Sequence, residues 1–141
     1  MSNLTRQEIL SAVANCDKII LTKETIAYLK SHQTKKVTVK VIRNIKLLNE
    51  FGLNLPDQYI HRIWGSKENL WELRIIFAGQ QERVLFFTLV ESKFLLTNGF
   101  QKTTDRVPQS EITSAEKIYY EYLRRKKEED EKQGKKGDNL R

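Results

Sequence analysis

Cysteine, histidine and glycine are all scarce in this sequence. Among its 141 residues, Cys16 is the only cysteine and His32 and His61 are the only histidines. A single cysteine cannot form a disulfide within the chain, and the two histidines do not have the spacing of a zinc motif. With six glycines and no Gly-rich phosphate loop, the sequence also lacks the signatures of nucleotide-binding enzymes. We therefore expect neither a metal nor a cofactor.

Long apolar runs are also missing. No run reaches the roughly 18 residues of a membrane span, and the first residues, MSNLTRQEIL, lack the apolar core of a signal peptide. A cytoplasmic location is therefore expected. The apolar share is 39% and the charged share 30%, which suits one hydrophobic core and is too apolar for a disordered chain. At roughly 150 residues per domain, the length predicts a single domain.

Positive charge is in excess. The chain has 25 Lys and Arg against 18 Asp and Glu, a net charge of +7, which favours a polyanionic partner such as nucleic acid. Residues 124–141 hold eight positive and five negative groups, or +3, which leaves +4 for residues 1–123. We interpret 1–123 as the domain and 124–141 as a charged helix end with a disordered tail. A basic arm that contacts phosphates is the alternative for that segment.

Three helices are predicted in the first third of the chain. Thr5 and Glu8 have the spacing of a capping box, and Thr22 is placed to cap a second, short helix. The stretch from Thr34 to Phe51 is ambiguous, because its valines alternate as in a strand. Its apolar residues also recur every three or four positions over more than ten residues, and Gly52 follows as a C-terminal glycine would. Length favours a helix.

Strands dominate the middle of the chain. LWELRIIF, RVLFFTLV and KFLLTN are rich in β-formers and are separated by short polar connections, which predicts an antiparallel meander with the second run at its centre. KIIL, near residue 20, is a candidate short strand. After Pro108, a last helix carries one apolar stripe of Ile112, Ala115, Tyr119 and Tyr122. The order predicts an α+β fold, with a small antiparallel β-sheet between N-terminal helices and a C-terminal helix.

Charged side chains cluster on the predicted sheet. Glu72 and Arg74 are two residues apart on one strand and so project from the same face. Arg83 opens the next strand, and Lys102 and Arg106 follow the third. A meander would gather several of these cations on one open face, where Arg and Lys suit phosphate groups. An ordinary sheet surface, with Glu72 paired to Arg74 or Arg83, explains the same residues.

A second group of cations has no acid between its ends. Its members are Lys30, Lys35, Lys36, Lys40, Arg43 and Lys46. A phosphate-contacting surface and a solvated helix face explain this group equally well. His61 and Arg62, just before Trp64, also fit an RNA-facing role, although such residues are more often structural. No carboxylate pair in a defined loop and no nucleophile motif is present. The residue patterns predict a basic domain that meets nucleic acid, and they do not establish catalysis.

Several motifs in order resemble the RelE/HigB superfamily of type II toxin–antitoxin toxins, in particular its HigB-like, phage-associated branch. The matching stretches are LWELRI, ERVLFF and FLLTNGFQKTTDRVPQSEITSA, preceded by a helix that ends in LLNEFG. The resemblance covers residues 24–123. Two positions depart from the family pattern. The usual second lysine is Thr103, and a histidine often found two positions before the phenylalanine is Asn98.

The resemblance implies a RelE-like fold and a metal-independent endoribonuclease that cleaves mRNA, usually in the ribosomal A site, and so inhibits translation and growth. In such enzymes the ribose 2′-OH attacks the adjacent phosphate while cations stabilise the developing charge. Arg74 and Arg83 would clamp phosphate, and Lys102 would offset charge or donate a proton. The implied catalytic residues are Arg74, Arg83, Lys102, Thr103 and Arg106. The implied contacts with ribosomal RNA are Lys35, Lys36, Lys40, Arg43 and Lys46.

The resemblance also implies partners. They are a cognate antitoxin with a helix-turn-helix, mRNA and the ribosome, with no role for a membrane. Two other functions fit the same residues. A ParE-like relative would block DNA gyrase and would cut no RNA. A non-catalytic basic module would bind nucleic acid and would not arrest growth.

Overall fold

Helices precede and follow a five-stranded sheet in the computed structural model, which describes residues 3–32 and 34–139, with side chains through Gln133. In chain order the elements are α1 (Arg6–Ala12), β1 (Ile19–Leu21), α2 (Lys23–Lys30), α3 (Lys35–Phe51), β2 (Ile60–Arg62), β3 (Leu70–Phe77), β4 (Gln80–Thr88), β5 (Phe94–Gln101) and α4 (Gln109–Asn139). The α+β fold is confirmed. Residues 140 and 141, the end of the segment interpreted as a tail, lie outside the described residues. No helix in the described part of the chain has the length and apolarity needed to cross a bilayer.

The predicted starts of α1 and α2 are confirmed. The Glu8 N–H donates to Thr5 Oγ1 at 3.1 Å, and the Thr5 N–H donates to Glu8 Oε1 at 3.0 Å, which is a complete capping box. The Thr22 hydroxyl accepts from the Thr25 N–H at 3.2 Å and donates to the Leu96 carbonyl at 2.9 Å. One side chain therefore caps α2 and also fastens it to β5.

The ambiguous stretch is a helix, as its length predicted. Val37, Val41, Ile45 and Leu48 are all buried on one side of α3, which is the helical alternative of the two patterns. The helix ends at Gly52, whose φ of +56° lies in the left-handed region that favours glycine.

The strand order is β1-β5-β4-β3-β2. The central three strands form the predicted antiparallel meander, with β4 in the middle. The sheet as a whole is mixed, because β1 extends the antiparallel meander by pairing with β5 in parallel. The sequence also gave no sign of β2, which pairs antiparallel with β3. The edge strand β2 has three residues, too few for a period-two pattern to show, whereas the candidate short strand KIIL is confirmed as β1.

Each face of the sheet has its own hydrophobic cluster. The back face, which carries Leu73 and Phe86, packs against α1, α2 and α3. The front face, which carries Leu70 and Phe87, packs against α4 through Ile112 and other residues of its predicted stripe. Tyr119 stacks on Phe87, with ring centroids 4.2 Å apart. Because α4 packs over the front-face cluster, the part of that face beyond the cluster is available for other contacts.

Gly99 marks the closest approach between α2 and the sheet. The Tyr28 ring lies against Gly99, and its hydroxyl donates to the buried Glu82 Oε1 at 2.7 Å. A Cβ at position 99 would overlap the Tyr28 ring. Glycine at position 99 therefore leaves the space that the Tyr28 ring needs to reach the buried Glu82 carboxylate.

Replacing Gly99 by alanine should therefore destabilise the fold. We expect Gly99→Ala to lower the free energy of unfolding by about 1–3 kcal/mol through overpacking, measured by urea denaturation. Gly65→Ala is the matched control, because its Cβ would meet only an Ile112 carbon at an ordinary 3.4 Å. Equal effects of the two substitutions would contradict the tight contact.

Candidate functional site

The sheet register brings three of the predicted site cations to one face. Arg74 lies directly opposite Arg83, which lies opposite Phe100 on β5. The Lys102 N–H donates to the Gln81 carbonyl at 2.7 Å and extends this ladder past the end of β5. Because alternate residues of a strand share a face, the front face carries the side chains of Arg74, Arg83 and Lys102. We call these three residues the front-face cations.

Glu72 lies among the front-face cations and pairs with two of them. Its Oε1 is 3.4 Å from the Nε of Arg74 and 3.4 Å from the Nε of Arg83, so the predicted salt bridges are both present. Like charges directly opposite on neighbouring strands repel, and the buried carboxylate offsets that repulsion. One negative charge against two guanidinium groups leaves this part of the sheet positive.

Arg83 is buried, with its side chain only 1% exposed. Its Nη1 donates to the Glu82 carbonyl and its Nη2 donates to Gln81 Oε1, both at 3.0 Å. Burial lowers the pKa of the guanidinium, and the Glu72 carboxylate opposes that shift; arginine nonetheless stays charged. In this conformation Arg83 contacts protein groups, so a phosphate clamp by Arg83 would require its side chain to move.

The other predicted catalytic residues are more accessible. The Arg74 side chain is 33% exposed, and its Nη1 donates weakly to the Asp57 carbonyl at 3.4 Å. Lys102 is half-buried, whereas Thr103 and Arg106 are exposed on the loop between β5 and α4. The Arg106 carbonyl accepts from the Thr104 hydroxyl at 2.7 Å, which braces that loop. Arg74 and Lys102 are therefore the front-face cations that solvent reaches.

Five of the six cations of the second group lie along α3, which contacts β3, whereas Lys30 is the last residue of α2. A shallow groove of about 310 Å³ is lined by Lys35, Lys36, Val39, Lys40, Arg43 and Phe77, and Lys46 is exposed further along the helix. The Asn44 amide donates to the Arg74 carbonyl at 3.2 Å, which joins α3 to β3 at the position of the exposed arginine. Cations that are far apart in sequence are therefore connected through β3, with Arg74 on the front face of the sheet and α3 packed on the back face.

Asn98 serves to hold α4 in place. Its amide donates to Glu111 Oε2 at 2.9 Å, and its Oδ1 accepts from the Thr97 hydroxyl at 2.7 Å. An amide does not titrate, and this one is committed to structural contacts. The position where the resembling family often has histidine therefore supplies no acid or base here.

The segment around β2 contributes residues whose arrangement was not evident from sequence. The Arg62 guanidinium carbon lies 4.8 Å from the ring centroid of Trp64 and 5.8 Å from that of Trp71, within cation–π range. Trp64 is 80% exposed. His61 lies on the opposite side of the strand, directly across from Glu72. Only the strand pairing reveals these neighbours, because β2 itself gave no strand signal.

The fold and this site define a basic α+β domain with cations on the front face of the sheet and along a helix that packs on the back face. Over residues 28–120, the sequence matches the family described as phage-derived protein Gp49-like (DUF891). The match spans 93 of 141 residues and includes α3 and the front-face cations. The chain therefore belongs to the Gp49-like family, a RelE/HigB-like toxin family of toxin–antitoxin systems. Comparison with the curated proteins gave no match.

Family membership confirms part of what the resemblance implied. It assigns the chain to the toxins of toxin–antitoxin systems and implies an antitoxin partner. The narrower assignment to the HigB-like branch stays a prediction.

The burial difference between the two arginines predicts different effects on stability. We expect Arg83→Gln to lower the free energy of unfolding by about 3 kcal/mol or more, because it removes a buried partner of Glu72. Arg74→Gln should cost less, about 1 kcal/mol, because the Arg74 side chain is partly exposed and Glu72 keeps Arg83 as its buried partner. Urea denaturation of both variants measures this contrast. A smaller loss in Arg83→Gln than in Arg74→Gln would show that Arg83 is not the buried anchor.

Proposed function

We propose that this toxin is an endoribonuclease that cleaves mRNA on the ribosome and thereby inhibits translation and growth. The observation that carries the proposal is the presence of two accessible cations, Arg74 and Lys102, on one sheet face of a RelE/HigB-like toxin. Buried Arg83 and Glu72 hold that face in a fixed arrangement. Groups held rigidly in this way can stabilise charge without reorganising during the reaction.

The proposed cleavage reaction depends on positively charged side chains and requires no metal ion. Attack of a ribose 2′-OH on the adjacent phosphorus breaks the bond to the 5′-oxygen and leaves a 2′,3′-cyclic phosphate and a 5′-hydroxyl. Negative charge accumulates on the phosphoryl oxygens in the transition state. Arg74 offers a planar fork to those oxygens, and Lys102 offers a compact point charge. Arg83 acts as a positioning residue through Glu72.

The cationic face of α3 supports a second contact, with ribosomal RNA. Its charged side chains point away from the core, and Asn44 joins the helix to the backbone carbonyl of Arg74 from the back of the sheet. Such a surface neutralises phosphates without reading sequence and releases counterions on binding. A nuclease that works on the ribosome needs a docking contact of this kind in addition to its reacting groups. The antitoxin that neutralises it is proposed to carry a helix-turn-helix and to be acidic where it covers the front face.

Removing either accessible cation should abolish toxicity and leave the fold intact. We expect Lys102→Ala and Arg74→Ala to slow cleavage of mRNA on programmed ribosomes by about 10²–10³-fold, because each removes a group that stabilises developing charge. Growth arrest after induction should fall in parallel at equal protein abundance.

Lys93→Ala is the matched control for these variants, because Lys93 is exposed at the other end of β5. Full toxicity of both site variants would refute the site. Growth arrest with intact mRNA and damaged DNA would indicate gyrase inhibition. Salt-dependent RNA binding with neither cleavage nor arrest would indicate a binding module.

Charge reversal on α3 should weaken ribosome binding. We expect the double variant Lys36→Glu/Lys40→Glu to co-sediment with ribosomes less than the native protein, and to show a shallower dependence on salt, since fewer phosphates are neutralised. Lys67→Glu/Lys93→Glu makes the same change in net charge at exposed positions elsewhere. If both double variants lose binding equally, net charge and not the α3 surface is responsible.

A further inference from the structure

The proposed reaction needs a group that takes the proton from the 2′-OH. The front-face cations cannot do so while they are charged, because neither guanidinium nor ammonium has a free lone pair. Asn98 is committed to Glu111 and Thr97. The carboxylate of Glu72 is buried, and its Oε1 is occupied by contacts with two arginines. A proton acceptor must come from another element.

His61 lies on the front face. The pairing of β2 with β3 sets His61 directly opposite Glu72, and residues directly opposite in an antiparallel pair share a face. Ile63, two residues further on, packs in the front-face cluster with Leu70 and Phe87, which independently gives the same orientation. The His61 side chain is exposed. An accessible imidazole therefore lies at the edge of the cationic face.

The distances in this part of the sheet allow His61 and Arg74 to act on one phosphodiester. Directly opposite Cβ atoms are about 5 Å apart, and diagonal neighbours on the same face are about 7–8 Å apart. His61 is the direct neighbour of Glu72 and the diagonal neighbour of Arg74. These two are the charged groups that β3 presents beside the imidazole. A phosphate held by Arg74 would thus bring its ribose within reach of His61.

His32 is placed very differently. It is half-buried at the end of α2, with its ring 4.6 Å from the Tyr28 ring in an edge-on contact. It lines a separate cavity with Tyr28 and Glu82, both of which belong to the back-face side of the sheet. Burial lowers the pKa of His32. Of the two histidines in the sequence, His61 alone shares a face with Arg74.

We propose that His61 is the general base of the cleavage reaction, a role that rests on the proposed nuclease function. The neutral imidazole accepts the 2′-OH proton as the 2′-oxygen bonds to phosphorus. The bond from phosphorus to the 5′-oxygen breaks, and that oxygen leaves as a hydroxyl with a proton from Lys102 or from solvent. The imidazolium that forms is stabilised by the neighbouring Glu72 carboxylate. The base thus comes from an edge strand, at a position remote in sequence from Lys102.

Imidazole rescue tests this role directly. Single-turnover cleavage of mRNA on programmed ribosomes is measured for the native chain, His61→Ala and His61→Gln. We expect His61→Ala to cleave about 10²–10⁴-fold more slowly, the usual contribution of general acid–base catalysis. Added imidazole should restore part of the rate in His61→Ala, which leaves room for it, and none in His61→Gln. Ribosome co-sedimentation of all three proteins should be unchanged.

Two control variants distinguish loss of the general base from other causes of slow cleavage. His32→Gln, which also removes one histidine, should cleave at the native rate. Its urea unfolding midpoint is measured to verify that the variant is folded. Lys102→Ala should be slow and insensitive to imidazole, because it lacks a cation and not a base.

The outcomes distinguish this inference from the function on which it rests. If the native protein cleaves and His61→Ala cleaves equally fast, His61 is not the base and the nuclease function stands. If His61→Ala is slow, loses ribosome binding and is not rescued by imidazole, His61 contacts RNA and the base role is overturned. If the native protein cleaves no RNA at all, the proposed function fails and the role of His61 fails with it.

Discussion

A buried ion pair in the front face of the sheet, between Glu72 and Arg83, determines how the rest of the site is arranged. A buried charge without a partner is costly, so each of these groups requires the other, and both are held by neighbouring strands. The same carboxylate oxygen also lies 3.4 Å from the Nε of Arg74, and this contact restrains the partly exposed Arg74 side chain. The partly exposed positive charge of Arg74 is therefore held in place by the buried Glu72–Arg83 ion pair. This separates the residue that stabilises the arrangement, Arg83, from the residues that are proposed to contact phosphate.

The strand β3 connects the parts of the molecule that the proposed function requires. Its front face carries Glu72 and Arg74, its backbone receives the Asn44 amide of α3, and its partner β2 brings His61 opposite Glu72. β2 pairs with β3 only as far as Leu73, and at the next residue, Arg74, the β3 carbonyl accepts a hydrogen bond from Asn44 of α3. The proposed ribosome contact on α3, which packs on the back face of the sheet, and the proposed phosphate contact on the front face are thus connected through one strand. This arrangement would let a docking surface that lacks sequence specificity position a substrate at a specific group of side chains.

Local patterns predicted those features of the fold that are decided within a few residues. The capping box of Thr5 and Glu8, the glycine that ends α3 and the period-two runs of the meander all have local causes. The prediction that Glu72 and Arg74 share a face also held, because alternation along a strand is strict. Features decided by distant pairing were not predictable. The three residues of β2 carry no pattern, the parallel pairing of β1 depends on β5, and the burial of Arg83 depends on what covers it.

The central claim is that the front face cleaves mRNA during translation. Mapping new RNA 5′ ends across the transcriptome, minutes after induction of the native protein and of Lys102→Ala, tests it most directly. The account predicts new ends confined to translated regions, in phase with codons, and absent in Lys102→Ala. Growth arrest without new RNA ends, or the same ends in both proteins, would contradict it.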